Sequence, residues 1–274
     1  MLMADKRNRH IHSPILNQGK VLLLSIKYNI MREMTNQVTF ITNIVFMILN
    51  NATFIVQWVI LFQLKKNIGG YNMSDVLLLW GLAAGTYGLS HIFFKRAYDI
   101  PELIIAGKLD SFLVQPKNVL LGVISSGTSA SAIGDLIYGY LVICIFKFSL
   151  LNLILFTFFS ITGALILTAF AVIAGSLSFW VTRGEMLSNN LNSIMLHFST
   201  YPDGIFKGFV RLFLYTVVPV GMVIYLPLKV MVSFNLLSFL ILLGFTAFII
   251  SIAFLVFYKG LKRYTSSSLM SARI

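Results

Sequence analysis

The sequence has few charged residues, one cysteine and no phosphate-binding loop. Only 11% of its 274 residues are Asp, Glu, Lys or Arg, whereas 58% are apolar, and the mean hydropathy is +0.87. A soluble domain of this composition would lack the polar surface that water requires. The chain is therefore predicted to be an integral membrane protein in contact with lipid, with no room for a separate catalytic domain.

The missing motifs exclude several kinds of site. The single Cys144 allows neither a disulfide framework nor a zinc site, and we expect it to be a packing residue. No G-x-x-x-x-G-K-[ST] motif surrounds Gly19-Lys20 or Gly107-Lys108, so the chain offers no phosphate cradle. Neither His91 nor His197 has a second ligand four residues away. We predict no enzyme activity, cofactor or metal on this chain.

The apolar runs predict an all-α membrane domain of six transmembrane helices. Gly81, Gly85 and Gly88 in the second span are expected to let helices approach closely. Pro219 and Pro227 are expected to break the fifth span, which follows an interfacial segment at 182–207. The predicted elements are an interfacial helix at 20–36, spans at 40–62, 76–94, 122–146, 153–180, 209–226 and 236–257, and a tail at 258–274.

The basic residues predict that both termini lie in the cytosol. Lys and Arg favour the cytosolic side of a membrane protein. If the termini and the segments 95–118 and 182–211 share that side, it carries 17 of the 21 basic residues. The net charge of +12 is then explained without nucleic acid, because the cations are spread over every inner segment.

The segment from Lys95 to Pro116, between the second and third spans, has its own helix start and stop signals. Asp99 can cap a helix with an early proline, Glu102 stands three residues later as in a capping box, and Gly107 can end the helix in a left-handed conformation. Two interpretations follow: a short surface helix that contacts a partner, or a capped interfacial loop.

These features together resemble the permease subunits of type-2 ABC exporters, and most closely their compact bacterial six-span subgroup. Residues 102–116 are similar to the pattern I-R-x-G-x-L-D-x-x-L-x-x-P of that subgroup. A second similar stretch runs from 198–202 through 217–220 to 225–227. The sequence departs from the first pattern at Ile105-Ala106, where a basic residue is expected before the glycine.

The resemblance implies that residues 99–113 form a coupling helix that docks on a separate ATPase. ATP and Mg²⁺ would then bind to that ATPase and not to this chain. It further implies two permeases, identical or similar, and two ATPase copies in the cytoplasmic (inner) membrane, exporting an amphipathic peptide, drug or lipid-like molecule. The ATPase-contact residues that it implies are Glu102, Leu103, Ile104, Gly107, Lys108, Leu109, Asp110, Phe112 and Pro116.

Asp135 is the one acidic residue clearly inside a predicted span, where a carboxylate costs about 2.5–3.5 kcal/mol. It either hydrogen-bonds a neighbouring helix or contacts a substrate, on a path that Pro219 and Pro227 would shape. Pairing with Asp99 in an aspartyl protease is excluded, because Asp99 lies in a surface segment. Two other functions stay open: an ion-coupled transporter or channel, and a membrane scaffold that transports nothing.

Overall fold

The computed structural model describes residues 14–265, and all their regular secondary structure is helical apart from one isolated bridge between Ile68 and Tyr71. Three short 3₁₀ turns lie at Lys95–Ala97, Leu177–Phe179 and Asp203–Ile205. The α-helices are α1 Pro14–Glu33, α2 Gln37–Leu64, α3 Met73–Phe94, α4 Ile100–Ile105, α5 Asp110–Leu113, α6 Val119–Ile124, α7 Ser131–Phe146, α8 Leu150–Ser176, α9 Gly184–Ser199, α10 Gly208–Thr216, α11 Leu226–Val232 and α12 Leu236–Leu261. The predicted basic positions before residue 14 and the end of the predicted tail lie outside the described residues.

Within residues 14–265, four helices are long and apolar enough to cross a membrane. They are α2, α3 with its continuation into α4, α8, and α12. A fifth crossing is obtained if α10 and the helical stretch Gly221–Val232 are counted together, although they meet at 77°. The chain is thus a multi-pass, all-helical membrane protein in its described part, as the composition predicts.

Helix α3 lies at the centre, packed along both α7 and α8, while α2 packs on α7 and α12 on α8. The expected close approach of the glycine helix is confirmed. A Cβ atom on Gly139 of α7 would lie 2.7 Å from the carbonyl oxygen of Gly81, and one on Gly88 would lie 2.8 Å from the backbone nitrogen of Leu136. Only glycine permits this backbone contact between α3 and α7.

A helix, α1, is present where the interfacial helix at 20–36 is predicted, and two of its polar side chains face the protein. Ser25 Oγ and Asn29 Nδ2 both donate to the carbonyl oxygen of Ser125, at 2.9 and 2.8 Å. Asn36, the last residue of the predicted helix, instead caps α2 by accepting from the backbone N–H of Thr39.

The stretch predicted as the start of the third span is not continuous helix. Helix α6 ends at Ile124, residues 125–130 are irregular, and α7 begins only at Ser131. Hydroxyl groups in this stretch bond to backbone carbonyls: Ser126 to Val123 and Thr128 to Ile92. Serine and threonine compete in this way with helical hydrogen bonds, which explains why apolarity alone misplaced the helix start.

The expected proline break before the last helix is present at Pro219 but not at Pro227. The 77° bend between α10 and Gly221–Val232 lies where Pro219 stands. At Pro227 the helix continues, because a π-helical turn, Gly221–Tyr225, comes directly before it. A wider turn accommodates a residue that lacks a backbone N–H, so the second expected change of direction was wrong.

The segment 182–207, predicted to lie at the inner interface, is largely the helix α9, which links the two ends of the bundle. One end, called here the coupling end, holds residues 95–116; the other, the Tyr71 end, holds the α2–α3 loop. Helix α9 begins at the coupling end, beside α4. Past its far end, the ring of Tyr201 meets that of Trp58, 6.1 Å away near the end of α2.

This arrangement corrects the predicted charge distribution. Arg211, which was assigned to the inner side together with Lys207, shares a carboxylate partner with Tyr71 and Lys229 at the Tyr71 end. With these two residues moved to the Tyr71 end, 11 of the 17 basic residues that the structure describes lie on the side of the coupling end. The excess on that side is smaller than predicted but still clear.

Candidate functional site

The 95–116 segment forms two short helices, α4 and α5, joined at a left-handed glycine. Gly107 has φ 67°, which confirms the predicted helix stop. Pro101 lies in the first turn of α4, as expected. The predicted capping box is wrong, because Asp99 makes no side-chain cap. Its carboxylate instead pairs with Arg96 and Lys95, at 3.2 and 3.4 Å, and Glu102 pairs with Lys108 at 2.6 Å.

Several residues expected to contact the ATPase are buried in the chain itself. Leu103, Ile104 and Leu109 are 1%, 7% and 0% exposed, so these side chains anchor the segment and cannot present apolar surface to a partner. The sequence shows which residues are apolar but not which side of a two-turn helix is covered. Gly107 is also buried, while Asp110 and Phe112 are half-buried.

A mixed apolar and charged surface remains exposed on the same segment. Glu102, Lys108 and Pro116 are exposed, as a partner-contacting role requires. The large apolar side chains that are exposed here were not singled out from the sequence: Ile105 at 49%, Leu113 at 42% and Val114 at 84%. The six residues together are called the contact surface below.

The buried side of the segment packs near the ends of two long helices, α8 and α12. A Cβ atom on Gly175 of α8 would lie 3.0 Å from Cβ of Ile100, so the start of α4 lies directly on α8. Tyr264, just after α12, is close to Asp110, and burial together with this carboxylate raises the pKa of Tyr264 to about 12. Its ring also meets Phe179, 6.3 Å away, at the end of α8. The segment is therefore in contact with α8 and with the residues just after α12.

A cavity of about 390 Å³ lies between α2, α3, α7 and the end of α9. Aromatic rings form much of its wall: Phe54 stacks on Trp80 with ring centroids 4.4 Å apart, and Tyr87 also lines it. His91 and His197, for which no metal role was expected, both line this cavity, and His91 stacks on Tyr98 at 4.3 Å.

Asp135 lines the same cavity and is held by a neighbouring helix. Asn51 Nδ2 donates to Asp135 Oδ1 at 2.6 Å and also contacts the carbonyl oxygen of Met47 at 3.1 Å. The α2 and α7 backbones meet one residue earlier, since a Cβ atom on Gly134 would lie 2.5 Å from the carbonyl oxygen of Ile44. The expected bond to a neighbouring helix is present, and the side chain also faces open space.

A second polar cluster, at the Tyr71 end, was missed from the sequence. Asp203 is only 4% exposed and accepts hydrogen bonds from Tyr71 at 2.7 Å, Lys229 at 2.9 Å, Tyr215 at 3.2 Å and Arg211 at 3.3 Å. Burial pushes the pKa of Asp203 up, but the bonds from Lys229 and Tyr71 outweigh it and hold that pKa below its ordinary value. The carboxylate joins the α2–α3 loop to both members of the bent pair.

Comparison with protein families now adds to this geometry. Residues 47–268 match the family model described as ABC-2 family transporter protein, which is well over half of the chain. The chain belongs to the ABC-2 family of transporter proteins. The matched region includes the contact surface, α3, α7, α9 and the part of α2 from Met47 onward, and it leaves out α1 and the start of α2. No curated protein and no solved structure gave a significant match.

Membership of the ABC-2 family defines the class of this protein. It is an ABC-type permease and a multi-pass membrane transport subunit, as its apolar helices also indicate. The ABC-2 family implies an ATPase partner within the ABC system. Among the predicted site residues, Glu102, Lys108 and Pro116 are exposed on the 95–116 segment, whereas Asp135 lines the cavity. Pro219 lies in the bend and Pro227 after it.

Proposed function

We propose that this chain is the permease subunit of an ATP-driven ABC exporter in the cytoplasmic membrane. The observation that carries the proposal is the 95–116 segment, which exposes a contact surface on one side and is anchored to α8 and α12 on the other. A surface element built in this way can transmit a push from outside the membrane into the bundle. The cargo class, an amphipathic peptide, drug or lipid-like molecule, comes from the resemblance stated above.

The proposed topology has six crossings: α2, α3, α7, α8, α9 and α12. Helix α9 takes the place of the predicted fifth span, because it links the two ends of the bundle. The bent pair of α10 and Gly221–Val232 is then a re-entrant hairpin, since both of its members reach Asp203 at the Tyr71 end. With both termini in the cytosol, the coupling end faces the cytosolic ATPase, in agreement with the distribution of basic residues.

The transport path is proposed to lie between two permeases, identical or similar. Asn43, Asn50 and Gln57 follow one another at seven-residue intervals on α2, and all three are exposed. On α9, Asn190 and Ser193 are likewise exposed. Polar side chains at membrane depth need polar partners, which lipid does not supply. A second permease and a wet path between the two would provide them.

Within the permease, the contacts of residues 95–116 with the bundle would carry the mechanical step. When two ATPases bind ATP and Mg²⁺ and close, each would push on a contact surface and move α4 and α5 together, because Leu103 and Leu109 tie both helices to the bundle. The displacement would pass to α8 through Gly175 and to α12 through Tyr264. The two permeases would then open outward.

The proposal is tested by reconstituting the permease with an ABC ATPase in lipid nanodiscs. Stable association and ATP hydrolysis faster than that of the ATPase alone are expected. An ion-coupled transporter or a scaffold would show no stimulation of hydrolysis. The two chains could associate without the permease changing the rate of ATP hydrolysis and without nucleotide changing the permease. In that case the coupling role of residues 95–116 is wrong.

A further inference from the structure

The cavity beside Asp135 carries an inference about the ligand that the permease binds. It has the size of a small-molecule site, since such pockets measure roughly 300–1,000 Å³, and its volume is about 390 Å³. A folded or long peptide does not fit into this space. The cavity also lies at membrane depth, because Asn51 on its wall stands at the middle of the 28-residue helix α2.

The charge on the cavity wall is of one sign. Among the described residues that line it, Asp135 is the only carboxylate and none is Lys or Arg. Within residues 14–265, the one hydrogen-bond donor that contacts this carboxylate is Asn51. An ionised carboxylate can accept about four hydrogen bonds, so this group, which lines the cavity, can accept further bonds from a ligand. The other titratable groups that line it are His91, His197, Tyr87 and Tyr201.

The rest of the wall suits the apolar part of a cation. Phe54 and Trp80 present stacked rings, and Tyr87 adds a third. Aromatic faces attract cations within about 6 Å of the ring centre, while their large apolar area favours burial of hydrocarbon. The carboxylate is also fixed in place, since Gly134 locks α7 against α2. A pre-formed anionic centre with aromatic walls selects positive charge and apolar bulk together.

We propose that this cavity binds an amphipathic organic cation, with the charged group against the Asp135–Asn51 pair and the apolar part against Phe54 and Trp80. The proposal deepens the proposed function by naming the substrate class, and it rests on that function for the statement that the ligand is transported. Binding itself requires only this chain.

The test measures binding of tetraphenylphosphonium to the purified full-length permease by equilibrium dialysis, with neutral triphenylphosphine oxide as the uncharged probe. Asp135→Asn keeps the size of the side chain and its contact with Asn51 but removes the charge. It is expected to weaken cation binding at least tenfold and to change binding of the neutral probe less than twofold. Glu185→Gln, an exposed change at the start of α9 with the same effect on net charge, is the matched control and is expected to leave both affinities unchanged.

Leu196→Trp keeps the test decisive if Asp135→Asn fails to fold. Leu196 lines the cavity and is 44% exposed, so the larger tryptophan side chain there narrows the cavity without disturbing buried packing. It is expected to weaken binding of the cation at least fivefold. Unchanged cation affinity in a folded Asp135→Asn protein, or equal loss for the cation and the neutral probe, would overturn the proposal.

These outcomes are separable from those of the reconstitution with an ATPase. Binding that depends on Asp135 without any ATPase association would leave this site standing and remove the proposed function. Stimulation of the ATPase without Asp135-dependent binding would support the proposed function and overturn the proposed cation site.

Discussion

Two substitutions only five residues apart are expected to affect different properties: Val114→Asp should weaken ATPase binding, and Leu109→Ala should lower the stability of the permease. Val114 is 84% exposed on the contact surface, so a charge there costs the isolated permease almost nothing. Leu109 is 0% exposed and belongs to the main core, so its truncation leaves a cavity and costs about 2–5 kcal/mol of unfolding free energy.

The magnitude for the ATPase complex follows from the surface that docking would cover. Burying a valine side chain contributes about 1.5–3 kcal/mol, and placing a carboxylate in the same contact adds a desolvation cost. Val114→Asp is therefore expected to weaken ATPase binding by roughly tenfold to a hundredfold, since about 1.4 kcal/mol corresponds to a factor of ten. Leu109→Ala is expected to lower the melting temperature instead.

The assay pairs thermal melting of each purified permease with titration of the ATPase in nanodiscs. Val232→Asp is the control, because Val232 is 62% exposed at the opposite end of the bundle. It should leave ATPase affinity unchanged. The reasoning is refuted if Val114→Asp binds the ATPase as tightly as the unaltered chain, or if Leu109→Ala melts at the unaltered temperature.

Three further predictions concern the fold. Gly107→Ala places a side chain at φ 67° and is expected to cost about 1–2 kcal/mol, whereas Gly19→Ala within α1 should be neutral or stabilising; equal melting temperatures for the two variants would argue against a strained turn. Asp203→Asn leaves Lys229 and Arg211 without a carboxylate, and both are half-exposed, so we expect a loss of roughly 2 kcal/mol at pH 7. The native pKa of Asp203 lies below its ordinary value, so this stabilisation is present above pH about 4 and is lost as pH falls through the native pKa. The melting temperatures of the two proteins should therefore converge in acid. A difference that stays constant with pH would contradict the assignment. Gly139→Val forces a side chain into the backbone of Gly81 and should cost about 1–3 kcal/mol or more, and an unchanged melting temperature would show that α3 and α7 do not meet as described.

The sequence predicts the features that local chemistry controls. Apolar runs locate the long helices. Gly107 predicts the turn that ends α4, and the glycines of α3 predict the close contact with α7. In each case the residue type itself restricts the backbone. Features that depend on tertiary contacts were missed or predicted wrongly. Three examples are the helix α9, the cap at Asp99 and the residues of the contact surface.

Each of these errors has a physical reason. Helix α9 is too polar for a hydropathy criterion, because Glu185, Asn189, Asn190 and Asn192 all lie on it. Asp99 had the sequence position of a cap, but Lys95 and Arg96 compete for its carboxylate. Burial of Leu109 depends on where α8 and α12 end, which lies more than 60 residues away in the sequence.

The central claim, that residues 95–116 receive the force of an ATPase, is tested most directly by site-specific cross-linking. Native Cys144 is exposed and would first be replaced, Cys144→Ser. Val114→Cys in that background is then expected to form a cross-link to a bound ATPase, and the link should block ATP-driven transport. Val232→Cys at the opposite end should form none. Equal cross-linking at both positions, or none at residue 114 in an active complex, would contradict the account.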